Sequence, residues 1–64
     1  MKLKELREAA GMTQRELSEK SGVNVRMIQH YEQGAKNINK ANAVTILFLA
    51  KALECDPKDL LEDM

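Results

Sequence analysis

Apolar positions along the chain recur at helical spacing and are interrupted by single glycines. Leu3, Leu6 and Ala10 share one stripe, which predicts a first helix from about Lys2 to Ala10 that Gly11 ends. Thr13-Gln14-Arg15-Glu16 has the form of a capping box, with Thr13 and Glu16 each able to bond the other's amide. A second helix therefore starts there and runs to about Lys20, burying Leu17. Gly22 provides a residue that takes positive φ cheaply, and Asn24 caps a third helix that reaches Gln33 before Gly34 stops it. Residues 35–39 are polar and turn-like.

The next segment, from about Lys40 to Glu54, is the most apolar in the chain. Its period places Ala43, Ile46, Leu47 and Ala50 on the core side and turns Val44 and Phe48 outward. Asp56-Pro57-Lys58-Asp59 opens a last short helix, with Asp56 as cap and Pro57 in the first turn. No alternating β-type run, repeat or linker interrupts this series. The expected fold is all-α: one domain over residues 1–64, a compact bundle of five short helices.

Composition removes several function classes. A single Cys excludes an internal disulfide, and one Cys with one His falls short of the usual four ligands of a structural metal. The apolar run 41–50 is far below the roughly 20 residues of a membrane span, and no signal-peptide pattern opens the chain, so a cytoplasmic location is expected. No nucleophile–base–orienter set surrounds His30, so no enzyme, cofactor or small-molecule site is expected. Cys55, Tyr31 and the four Met residues read as packing groups.

The net charge is zero but unevenly spread. Residues 1–40 carry eight Lys or Arg against five Asp or Glu, and residues 41–64 carry two against five. A basic face can therefore meet phosphate while the whole chain stays neutral. The candidate for that face is the unit of helix, Gly-containing turn and helix formed by Thr13–Lys20, Ser21-Gly22-Val23 and Asn24–Gln33. With Leu17, Val23 and Ile28 wedged between the two helices, Val25, Arg26, Gln29 and His30 lie on the outer face, with Lys36 just beyond. Arg and Gln read guanine and adenine edges by paired hydrogen bonds, and Val can contact a thymine methyl.

Met12 to Val23, Ile28, Tyr31-Glu-Gln-Gly34, Leu49-Ala-Lys-Ala-Leu53 and Asp59-Leu-Leu61 together resemble the Cro/repressor-type (XRE) helix-turn-helix family over nearly the whole chain. The resemblance implies a lambda-repressor-like bundle with a central helix-turn-helix, binding double-stranded DNA sequence-specifically as a transcriptional regulator, expected to be a repressor. It implies base reading by Val25, Arg26 and Gln29, and backbone contacts by Gln14, Asn24, Asn37 and Lys40, to which Lys36 is added by its position. It also implies an interior ion pair, Arg7 with Glu32. Ser18 stands where the family usually has Ala, and Val44 and Phe48 stand where relatives commonly carry charge. A domain this small offers few contacts, so a homodimer on a near-palindromic operator is expected, its surface drawn from Phe48, Leu60, Leu61 and Met64. The alternative is a protein-interaction or antitoxin-like module of the same fold with weak or no DNA binding, which the neutral charge and the outward Val44/Phe48 pair keep open.

Overall fold

Side-chain caps decide where the helices begin. The structure is a computed structural model that describes residues 1–62. It contains α1 (Lys2–Ala9), α2 (Gln14–Ser21), α3 (Val25–Gln33) and α4 (Ala43–Leu53), with 3-10 turns at Ile38–Lys40 and Pro57–Leu60. Thr13 and Glu16 form the reciprocal box, the Glu16 amide donating to Thr13 Oγ1 at 3.0 Å and the Thr13 amide to the Glu16 carboxylate at 2.9 Å. Asn24 and Asn42 accept from the amides two residues on, at 2.7 and 2.8 Å, and so start α3 and α4. Gly22 and Gly34 end α2 and α3 with φ of 78° and 79°, a left-handed conformation that costs a side chain-bearing residue more than glycine. No helix among the described residues is long and apolar enough to cross a membrane.

Each element contributes one large, fully buried side chain to a shared core. These are Leu3 from α1, Leu17 from α2, Ile28 from α3, Ile38 and Leu60 from the two 3-10 turns, and Leu49 from α4. Val23, Tyr31, Ile46, Ala50 and Ala52 fill the space between them. A core this thin leaves no element redundant, since each contributes only one large side chain that is wholly enclosed.

Four expectations need correction. The fifth helix is a 3-10 turn of four residues, because Leu60 is buried at once and Leu61 is already extended. An i→i+3 bond closes a turn in fewer residues than an α-helix needs. The fourth helix begins at Ala43 and not near Lys40, because Ile38 anchors a separate 3-10 turn and Asn42 supplies the cap. Of the expected core face, Ile46 and Ala50 are buried while Ala43 and Leu47 are exposed; Leu49, Ala52 and the half-buried Leu53 complete the observed face. The buried face is therefore rotated from the expected one toward Leu49 and Ala52. The helix is apolar on most sides, so its period does not choose a face; packing against α2 and the Pro57–Leu60 turn does. Ala10 lies beyond the end of α1 and is exposed.

Polar contacts complete the frame. Arg7 Nε and Nη2 donate to the two oxygens of Glu32 at 2.8 and 3.0 Å, and Nη1 donates to the Met12 carbonyl at 2.8 Å. Gln14 Nε2 adds a bond of 3.0 Å to Glu32 Oε1. The side chains of Arg7 and Glu32 are only 11% and 4% exposed. Burial alone would push the Glu32 carboxyl pKa up. Hydrogen bonds from Arg7 and Gln14, with the Arg7 charge, outweigh it and hold the group below its ordinary value.

A depressed carboxylate pKa stabilises the fold above the unfolded value and loses that contribution as pH falls through the folded one. Arg7→Ala is expected to lower the unfolding free energy at pH 7 by about 3–5 kcal/mol, because it strands a buried charge. In urea titrations the gap to wild type should narrow as pH falls through and below the ordinary carboxylate range and Glu32 protonates. A gap independent of pH would assign the loss to packing instead.

Candidate nucleic-acid interface

The helix-turn-helix unit runs from Gln14 through the turn Gly22-Val23-Asn24 to Gln33. Leu17, Val23 and Ile28 are buried where α2 and α3 meet, so apolar contact fixes the angle between the helices. Two serine hydroxyls then hold the turn itself. Ser18 Oγ donates to the Val23 carbonyl at 2.6 Å, and the Val23 amide donates to the buried Ser21 Oγ at 3.1 Å. Both backbone polar groups of Val23 are thus satisfied as its side chain enters the core. Sequence reading missed this role. The available signal was a pair of serines just before a glycine turn, where hydroxyls commonly bond nearby backbone.

With the turn fixed, α3 exposes Val25 and Arg26 and leaves Gln29 and His30 half-buried. Asn24 is exposed, and its side-chain oxygen is engaged in capping, so its amide NH2 is the group it turns to a ligand. Asn37 has the same arrangement, accepting from the Asn39 amide at 2.9 Å. Lys36, Asn37 and Lys40 converge on one groove with Met27 and Tyr31 of α3 and Asn42 at the start of α4. The structure therefore gathers these three expected backbone contacts into a polar, basic cleft beside the outer face of α3. Gln14, at the first position of α2, sits apart from that cleft, with its NH2 partly committed to Glu32.

The residues expected at a second-copy surface divide. Phe48 is 51% exposed and Leu61 40% exposed. Leu60 is fully buried, a core anchor of its own chain that cannot reach a partner, and Met64 lies outside the described residues. Val44 and Leu47 are 53% and 55% exposed and join Phe48 on one stripe of α4. Cys55 is half-buried; desolvation, then the Asp59 and Asp56 carboxylates, raises its thiol pKa and keeps it protonated.

The profile of the helix-turn-helix family HTH_3 matches residues 3–60, from the first fully buried residue of the chain to the last described one. The chain belongs to the HTH_3 family of Cro/C1-type helix-turn-helix domains. Comparison with curated proteins and with solved structures found no significant match. Membership of HTH_3 implies DNA binding and transcriptional regulation, and the family is non-enzymatic. The Ser18–Val23–Ser21 bonds fix the turn that leads into α3.

Removing the two hydroxyls should have unequal effects. Ser21→Ala strips the buried Val23 amide of its partner and should cost about 1–3 kcal/mol; Ser18→Ala should cost about 0.5–1.5 kcal/mol. Urea unfolding measures both. Costs near zero would show that solvent replaces the hydroxyls.

Proposed function

We propose that this HTH_3 domain binds double-stranded DNA sequence-specifically and acts as a repressor, with α3 in the major groove. The observation that carries the reading is the adjacency of two surfaces: the outer face of α3, and the groove that collects Lys36, Asn37 and Lys40. Base edges would be read by Arg26 and Gln29, with Val25 near a thymine methyl. Asn24, Lys36, Asn37 and Lys40 would position the domain on phosphate, and Gln14 would add a contact at the start of α2 through the N–H that Glu32 leaves to it. Repression is the simplest outcome for a domain seated across a promoter, and a DNA partner implies an intracellular location.

Two copies on a near-palindrome would supply the contacts that one small domain lacks. The domain measures 27 × 22 × 20 Å, so two side by side can bring their recognition helices to about 34 Å, one DNA turn. The stripe Val44, Leu47 and Phe48, with Leu61, is the surface we assign to the second copy. The same exposed stripe favours a second reading, a protein-interaction or antitoxin-like module with weak DNA binding. Duplex binding whose log affinity falls steeply with log salt supports the first reading, and its absence supports the second.

Duplexes selected from a random pool define the site. Arg26→Ala should then lose about 1–3 kcal/mol of discrimination at one or two base pairs. An equal loss for every sequence would make Arg26 a phosphate contact. Phe48→Glu should convert a dimer to a monomer in sedimentation, and an unchanged mass would remove the stripe from the interface.

A further inference from the structure

Asn39 sits in the middle of the 3-10 turn Ile38–Lys40, yet its side chain points to a segment 23 positions away. Its Nδ2 donates to the Glu62 carbonyl at 2.8 Å, and the Glu62 amide donates to its Oδ1 at 2.8 Å. One side-chain amide thereby pairs with both polar groups of a single residue, as two residues do in a rung of an antiparallel ladder. The seam continues through the Glu62 side chain, whose carboxylate accepts from the Lys2 amide at 3.1 Å, at the start of α1. The turn has two characters along its length. Ile38 is fully buried and Asn39 half-buried, whereas Asn37 and Lys40 are exposed at the rim of the groove beside α3.

A short turn carrying phosphate-binding groups loses affinity if it must be ordered on binding, and fastening it beforehand removes that cost. Ile38 anchors the turn by one side chain, which leaves rotation about that anchor. The two bonds from Asn39 remove this freedom. We propose that Asn39 is a positioning residue for DNA binding: it locks the segment after α3 so that Asn37 and Lys40 face phosphate. The C-terminal segment at Glu62 thereby becomes part of the DNA-binding apparatus without touching DNA. This inference rests on the assignment of Asn37 and Lys40 as phosphate contacts. Coupling of this kind is reciprocal, so DNA binding also tightens the Asn39–Glu62 seam.

The test uses the full chain and mixed-sequence duplex DNA, since the contacts concerned are to phosphate. Asn39→Ala removes the seam from one side. Glu62→Pro removes the donating amide from the other, at a place where the preceding Leu61 is already extended and tolerates proline. Asn39→Ala and Glu62→Pro should each weaken binding about threefold to tenfold, with a shallower salt dependence, and the double variant should be no weaker than the singles. Base preference on selected duplexes should not change, and DNA should slow hydrogen exchange at the Glu62 amide. Unchanged affinity in folded variants, additive losses or an altered base preference would each overturn the proposal. Lys40→Ala separates the two layers. If Lys40→Ala binds as wild type does, the phosphate assignment fails and the proposal falls with it. If it binds weakly and Asn39→Ala does not, the role of Asn39 alone is wrong.

Discussion

Arg7 supplies the connection on which the arrangement of the first three helices depends. One guanidinium joins α1, where it originates, to the Met12 carbonyl in the α1–α2 turn and to both oxygens of Glu32 near the end of α3. Gln14 brings the first position of α2 onto the same carboxylate. A charge pair this enclosed tolerates few geometries, because displacement leaves a charge without its partner where little water can replace it. In a thin core with one large anchor per element, apolar packing alone would permit small rotations of the helices. The planar fork of Arg7 removes much of that freedom.

The same division of labour governs the turn between α2 and α3. Leu17, Val23 and Ile28 supply a non-directional attraction that brings the helices together. Ser18 and Ser21 then bond the backbone of Val23 and make the attraction directional. The Ser18 hydroxyl thus adds a bond to the turn beyond what apolar packing provides. In this way the internal polar groups set the orientation of α3 relative to α2, and on the proposed reading the exposed residues of α3 choose the ligand.

Neutral overall charge is compatible with that task because the charges are segregated. The first forty residues hold the positive excess and form α1 to α3 and the groove, while the remainder, with its acidic excess, forms α4 and the C-terminal turn. On the proposed DNA-binding reading, such a distribution favours contact made by shape and hydrogen bonds over long-range steering.

The sequence by itself determined the helix boundaries that depend on neighbours in the chain. The Thr13–Glu16 box, the Asn24 cap and the glycine stops at positions 22 and 34 are local devices, complete within a few residues. The pairing of Arg7 with Glu32 was accessible only through family resemblance, because 25 residues separate them and no local rule links them. Tertiary structure alone decided which side of α4 is buried, since a helix apolar on most sides carries no preference until α2 and the last turn pack on it. It also decided that the final segment closes as a 3-10 turn, that Leu60 is a core anchor and not a surface residue, and that Asn39 reaches Glu62. Each of these outcomes depends on what lies opposite a residue in space, and the pattern along the chain does not contain that information.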